Sequence, residues 1–596
     1  MHHGGLYEDA IAGKAYDGRL LARFARYVVP YRLTVGAVLL VLPLSAACRL
    51  AQPLVLKYAI DQAIVPGRLE LLTGPAVLFL ALLGLEGLLT WLEVYGLQSV
   101  GQRVMHDLRN ELFQHLVRLP TRWFDRSATG ATVTRLTSDV EALGEMFAAG
   151  IVTIVGDLLL LAGIVAAMLW LAPGLSAITF TVLPPLVAVA WLFRRKMRQS
   201  FREVRARLGA MNGQLAEVIG GMTVVQAFGR ERDEAQRFSR LNAAHRDANM
   251  PVITWDASLY AVVEMFSGVA IALIVWYGGG QIVQGALTFG TLVAFIQYIE
   301  KFFGPIRDLS AKYGVMQGAM AALERIFSLL DEPVEGDAPC PSNASVTPTR
   351  DNGPLIEFRQ VAFAYRSDEP ALSDFSLTLR RGERVALVGE SGAGKTTVVR
   401  LLERQYEVTD GAILLEGVDI RCLTPAELRR RTAVVMQDPA LFVGSIAFNI
   451  SLGDPLALQR MQLAAETVGA DRFIEQLPDR YETLLTERGS NLSAGERQLL
   501  SFARAVAFDP ELLVLDEATA SVDSESERLI QEGVQRLLAG RTALVIAHRL
   551  STVRDADRIV VLRRGQVVEQ GGHTELMAAG GEYARLYCLQ FECAEG

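Results

Sequence analysis

Six apolar segments dominate the first three hundred residues, at about 34–57, 72–96, 148–171, 174–193, 256–278 and 286–312. Each is near the roughly 20 residues that a helix needs to cross a bilayer. Any one of them could be a buried helix of a large soluble core. Six together, separated by charge-rich connections, are read as membrane spans. The third and fourth are joined only by the tight turn Ala172-Pro173-Gly174, whereas long polar stretches separate the second from the third and the fourth from the fifth.

Arginine placement orients the spans. Arg103, Arg109, Arg118, Arg122, Arg126 and Arg135 crowd the 97–147 stretch, and Arg194-Arg195-Lys196 opens the 194–255 stretch. The opposite side offers little beyond Arg68, so the positive-inside rule makes both long connections and both termini cytoplasmic. Leu108, Leu112, His115, Leu116 and Leu119 recur at helical steps, which predicts membrane helices running on into the cytoplasm. Leu20–Arg32 mixes Arg with Leu, Phe, Tyr and Val and reads as an amphipathic helix on the membrane surface, against a solvated leader.

Charges inside the spans (Arg49, Glu86, Glu93, Asp157 and Glu264) cannot face lipid at the bilayer centre without a cost of about 2.5–3.5 kcal/mol each. They either line a polar cavity, Glu86 and Glu264 first, or lie near the membrane boundary or pair between helices. Their acidity leans toward cationic substrates.

Composition removes other classes. Half of the 596 residues are hydrophobic, and a net charge of −8 supplies no basic field, so nucleic acid is not an expected partner. Cys48, Cys340, Cys422, Cys588 and Cys593 have neither metal-ligand spacing nor the look of a disulfide framework, and Cys588 and Cys593, five apart on an expected terminal helix, are expected as thiols. Met1–Arg32 is polar and charged, so no cleavable signal peptide is expected.

From Leu355 short strands alternate with helices, as in an α/β domain. Arg384–Val388 is strand-like and Val398–Leu402 helical, and between them stands Gly389-Glu390-Ser391-Gly392-Ala393-Gly394-Lys395-Thr396-Thr397. Strand, G-x-x-x-x-G-K-T, helix is the context of a phosphate-binding loop. Gly389, Gly392 and Gly394 let backbone N–H groups turn toward a polyphosphate at a helix N-terminus. Lys395 can reach the outer phosphates and Thr396 can ligate Mg²⁺. Leu512–Leu515 ends on Asp516, suited to Mg²⁺, and Glu517, suited to orienting a water as general base. Small residues around Ser493 and Gly495 precede another apolar helix, a second anion site. Taken singly, Tyr365 is a strand-end tyrosine, Gln437 an amide after a strand and His548 a structural histidine.

The ordered set resembles the ATPase of ABC proteins, and the first half resembles the membrane domain of type I (also called type IV) ABC exporters. The membrane likeness rests on Ala51-Gln52-Pro53-Leu54, on Leu108-Arg109 through Phe124-Asp125 and Gly130, on Arg135–Val140 and on Glu217–Phe228. It implies coupling helices near 116–125 and 220–226. In the ATPase, Asn491-Leu492-Ser493-Ala494-Gly495-Glu496-Arg497-Gln498 is similar to the family signature LSGGQ, with Ala494 and Glu496 as departures. The resemblance implies that Tyr365 stacks on adenine and that Gln437, in the Q-loop, touches Mg²⁺ or the attacking water. It also implies an Asp523 in the D-loop and a His548 that switches on the γ-phosphate. Ser493 and Gly495 would serve the phosphate loop of a partner chain.

The fold thus implied is a multidomain membrane protein, an all-α six-helix transmembrane domain followed by an α/β P-loop ABC ATPase domain. Its parts are a leader and elbow helix at 1–33, the transmembrane domain at 34–330, a linker at 331–353 and the nucleotide-binding domain at 354–596. The implied function is ATP- and Mg²⁺-dependent export of hydrophobic or amphipathic drugs or lipids, in a bacterial cytoplasmic membrane, by half of a dimer. The intact Glu517 beside a variant signature favours a heterodimer over a homodimer. A lipid or peptide translocase, or an importer on the same fold, shares every motif, while a soluble ABC ATPase is rejected by hydropathy.

Overall fold

The computed structural model describes residues 17–335, 353–366, 369–516, 524–546 and 553–591. The chain divides into two compact units, Met1–Val117 with Thr129–Glu332, and Arg118–Ala128 with Pro333–Gly596.

The first unit is helical. Its long members are α1 (Gly18–Val28), α2 (Arg32–Ala59), α3 (Thr73–Leu116), α4 (Val152–Leu171), α5 (Leu183–Gly220), α6 (Glu231–Val283) and α7 (Phe289–Leu330). Helices α3, α5, α6 and α7 run for 44, 38, 53 and 42 residues. At 1.5 Å per residue the shortest is about 57 Å long, nearly twice a hydrocarbon core of about 30 Å, so each extends well beyond the bilayer. Among the described residues five stretches are long and apolar enough to cross a membrane: Gly18–Ile64, Leu69–Leu116, Val152–Leu171, Pro173–Gly220 and Glu231–Val283. Helix α7, where the sixth span was expected, is not among them, and Glu300 and Lys301 interrupt its apolar run.

The turn between the third and fourth spans follows from Pro173, which sits in the first turn of the short helix Pro173–Phe180 after an extended Ala172. Proline loses nothing there, because that N–H has no helical partner. Ile164, Met168, Ala270, Ile274, Phe295 and Tyr298 pack into one buried cluster. Asp139 is 5 % exposed and is held by Arg325 through bonds of 2.9 and 2.6 Å. In α1 Asp17 caps the helix, while Arg23 lies 4.3 Å over the Phe327 ring and pairs with Asp331 at 2.8 Å.

The second unit carries β1 (Ile356–Arg366), β2 (Glu369–Leu379), β3 (Arg384–Val388), β4 (Asp410–Leu415), β5 (Val418–Asp419), β6 (Thr432–Val435), β7 (Leu512–Asp516), β8 (Thr542–Ile546), β9 (Arg558–Arg563) and β10 (Gln566–Gly571). An antiparallel sheet is ordered β2-β1-β4-β5, and a larger one β10-β9-β3-β8-β7-β6. In the larger sheet β9, β3, β8, β7 and β6 are parallel. Strands β7 and β8 read as continuous apolar runs because both their faces are covered.

One expectation is corrected: Cys588, expected as a thiol, is disulfide-bonded, and so is Cys422, whereas Cys48 is a free, buried thiol. Spacing along the chain tests for metal-ligand and framework patterns, and it does not decide whether an individual thiol is oxidised.

Candidate functional site

Parallel registers gather the ATPase motifs at one edge. Asp516 pairs with Ile546, Ile546 with Leu387, and Leu515 with Val435. The carboxyl ends of β3, β7, β8 and β6 therefore emerge together, the edge at which open α/β sheets bind ligands. From β3 the chain enters the phosphate loop, β7 ends on Asp516, and Gln437 follows β6 by two residues and is exposed. Glu517, Asp523 and His548 lie outside the described residues.

The loop is shaped by close backbone approach. A Cβ at Gly389 would stand 2.3 Å from the Leu562 carbonyl oxygen, and Gly394 has φ +104° with the Ala371 carbonyl oxygen 2.8 Å from a Cβ. Only glycine fits both positions. Helix α8 (Lys395–Leu402) starts immediately after it. Ser391, Gly392 and Thr396 are exposed, and Thr397 is buried.

Lys395 Nζ donates to the carbonyls of Gly389 at 2.7 Å and Glu390 at 3.0 Å. Burial pushes its ammonium below the ordinary lysine range, opposed by the charge of Asp516. A cation held beside an open backbone cradle at a helix start fits a polyphosphate. Thr396, Gln437 and Asp516 offer hard oxygen donors of the kind Mg²⁺ takes.

Tyr365, at the end of β1, is 39 % exposed. Its ring meets Phe363 edge-on at 4.9 Å and Tyr406 at 5.2 Å, and its hydroxyl lies 3.3 Å from Thr397 Oγ1. Ser493 caps helix α9 (Ala494–Ala507), where its hydroxyl accepts from the Glu496 N–H while the Glu496 carboxylate accepts from the Ser493 N–H at 2.7 Å. The Glu496 departure thus builds a capping box, and the S-x-x-E spacing was the signal for it. Gly495 is buried in the first turn of α9.

Three residues carry contacts that no sequence motif assigned to them. Arg118–Ala128, flanked on both sides by membrane-unit sequence, belongs to the ATPase unit and holds the short helix Thr121–Arg126. Asp125 in it accepts from the Tyr406 hydroxyl at 2.7 Å and lies 3.8 Å from Arg400. Arg400 in turn stands 6.0 Å from the centre of the Tyr365 ring. Phe124-Asp125 was visible as part of a resemblance, but nothing local gave the aspartate a partner 281 positions away. The second expected coupling stretch holds the short helix Met222–Ala227 in the membrane unit.

In the membrane unit most span charges are paired. Glu86 meets Arg49 at 3.0 Å and accepts from Gln52 at 2.5 Å, and Asp157 pairs with Lys312. Lys301 donates to the Arg49 carbonyl at 3.0 Å and to Gln52 at 2.8 Å.

The family profile of the ABC transporter transmembrane region matches residues 35–306, and that of the ABC transporter matches residues 372–520. An uncharacterized ABC transporter ATP-binding protein of Bacillus subtilis, YknV, is 38 % identical over 98 % of this chain and 97 % of its own. The ATP-dependent lipid A-core flippase of Nitrosococcus oceani is 35 % identical over 97 % and 96 %. The solved structure of a bacterial Atm1-family ABC exporter with ATP bound superposes with a TM-score of 0.78 at 28 % identity, covering 95 % of this chain and 99 % of that one. With a helical membrane half and a P-loop ATPase half in one polypeptide, the chain belongs to the ABC transporter family, as a half-transporter of the type IV exporter group.

Proposed function

We propose that this chain exports an amphipathic drug or lipid from a bacterial cytoplasmic membrane, paired with a second half-transporter. The substrate class follows the relatives: one similar protein is named a lipid A-core flippase, and a Bacillus subtilis protein 36 % identical over 96 % of this chain is named for multidrug export. The observation that carries the reading is the short helix Thr121–Arg126. Sequence flanked by membrane helices contributes to the ATPase unit and is tied there by Asp125 to Tyr406, on the approach to the phosphate loop.

The proposed roles follow the geometry. Backbone N–H groups of Gly389–Thr397, with Lys395, hold the triphosphate, and Tyr365 supplies the platform for the base. Thr396, Gln437 and Asp516 would hold Mg²⁺, which when bound would supply charge neutralisation on the phosphates. Glu517 orients the attacking water with Gln437 beside it, and His548 and Asp523 complete the site. Ser493 and Gly495 face the phosphate loop of the other chain. The proposed domain limits are 1–33, 34–330, 331–353 and 354–596, with both coupling helices and both termini cytoplasmic.

We favour a heterodimer, because the intact Glu517 stands beside a signature that departs from the family form at Ala494 and Glu496. Replacing Glu517 by Gln is expected to lower turnover at least about 100-fold while ATP binding persists. Appreciable hydrolysis by that variant would remove Glu517 from its role. The mass and ATPase activity of the chain purified alone decide the pairing, since an active dimer of identical chains overturns the heterodimer.

A further inference from the structure

We propose that the membrane half contains a binding cavity for a singly charged ammonium headgroup, with Glu93 as its counter-ion. The inference deepens the export reading above and rests on it for the direction of approach. A cavity of about 230 Å³ lies among α2, α3, α4 and α7, lined by Ser45, Arg49, Thr90, Glu93, Asp157 and Lys312 among others. Glu86 and Glu264, the acids expected to line a cavity, are not in its wall.

The wall carries two cations, Arg49 and Lys312, and two carboxylates, Glu93 and Asp157, but they are not paired with one another one for one. Arg49 is taken by Glu86 from outside the wall, and Lys312 by Asp157 within it. Glu93 has no hydrogen-bond or ion-pair partner among the described residues. Once the pairs are counted out, the wall presents one carboxylate. An ionisable residue within a span that has no partner of its own marks a binding site or an ion path by default. A monocation satisfies Glu93 without breaking either pair. An anion would have to displace Glu86 or Asp157 to reach Arg49 or Lys312, and a neutral ligand would leave Glu93 as it is.

Size and depth narrow the ligand. At about 30 Å³ per water the cavity holds roughly eight waters, the size of a headgroup and not of a whole lipid. Glu93 lies about 20 residues, or some 30 Å, along α3 from Thr73, and Asp157 about 21 Å along α4 from Leu171. With Thr73 and Leu171 at the outer face, Asp157 sits in the inner half of a core about 30 Å thick and Glu93 at its inner edge. The geometry suits an amphiphilic amine entering from the cytoplasmic leaflet with its tail left among the acyl chains.

The test is equilibrium binding to the full chain in nanodiscs of uncharged lipid, with three labelled probes: dodecyltrimethylammonium, its neutral carbon isostere, and dodecyl phosphate. Wild-type protein is expected to hold the cation at least about tenfold more tightly than either other probe, about 1.4 kcal/mol. Glu93→Gln should abolish that preference and Glu93→Asp should keep most of it, with normal ATP binding showing that both variants are folded. Equal affinity for the three probes, a preference for the phosphate, or an unaltered cation preference in Glu93→Gln each overturns the site. ATP-driven uptake of the same cation into inside-out vesicles separates the two readings. Charge-selective binding without uptake supports the cavity and removes export of this class, whereas uptake indifferent to charge removes the cavity alone.

Discussion

The two halves of this transporter build their polar sites from different materials. In the ATPase half the main chain does most of it: glycines where a Cβ would strike a carbonyl, parallel strand ends, and helix N-termini. In the membrane half the polar structure is made of side chains meeting across helices, Arg49 with Glu86 and Lys312 with Asp157 among the spans, and Arg325 with Asp139 beyond them. The contrast follows from the solvent. Water screens and hydrates a surface phosphate site, so backbone dipoles suffice there. Charges in a bilayer have to find each other.

The contrast breaks first, if it breaks, at Gly389. Alanine there would put a Cβ 2.3 Å from the Leu562 carbonyl oxygen, forcing β3 and β9 apart just where the loop begins. The expected cost is about 2–3 kcal/mol, with ATP affinity down roughly 10- to 100-fold. Gly392 is the internal control. It has open space around a Cβ but φ +82°, so Gly392→Ala carries only backbone strain, about 1 kcal/mol. Nucleotide titration of both variants checks the order. A Gly389→Ala protein that binds ATP like wild type would show that the loop does not depend on that approach.

The membrane half has its matching experiment. Arg325→Ala strands the buried Asp139 carboxylate, and the loss of a buried partner is ordinarily worth about 3–5 kcal/mol. Arg325 is itself 40 % exposed, so water takes up part of the charge and about 2 kcal/mol is expected, read as a fall in thermal midpoint. Adding Asp139→Asn should restore most of it, because the amide needs no counter-charge. If the double variant is no more stable than Arg325→Ala, packing and not pairing holds this junction.

The same difference explains what the sequence made legible. A phosphate loop is local: its glycines, Lys395 and flanking strand stand within a dozen positions, so motif and mechanism are read together. The apolar spans are also local, and their helices exist where hydropathy drew them, although α7 is diluted by Glu300 and Lys301. Pairings were not legible. Asp139 and Arg325 are 186 positions apart, and Asp125 and Tyr406 are 281 apart. Nothing in either neighbourhood names the other. For the same reason the sequence set Glu86 and Glu264 ahead of Glu93 as cavity residues, whereas three-dimensional pairing leaves Glu93 in the wall.

Glu403, at the end of α8, shows that the ATPase half has a third way to deal with a buried charge. Burial pushes its carboxyl up to about 7 from 4.5, against weaker opposing effects of a hydrogen bond from Gln405 and the charge of Arg429. Where Asp139 takes a partner, Glu403 is poised to give its charge up. Because the folded pKa lies above the unfolded one, the group's contribution to stability is intact below pH 4.5 and is lost as pH rises through 7. Glu403→Gln removes that loss. The amide must still be buried, which offsets part of the gain, so a net stabilisation of about 1 kcal/mol is expected at pH 8, fading to nothing by pH 4.5. Thermal midpoints of wild type and variant measured across that range give the answer directly. Curves that run parallel at all pH values would mean that Glu403 stays ionised through a charge partner, and the two halves would then treat buried carboxylates alike.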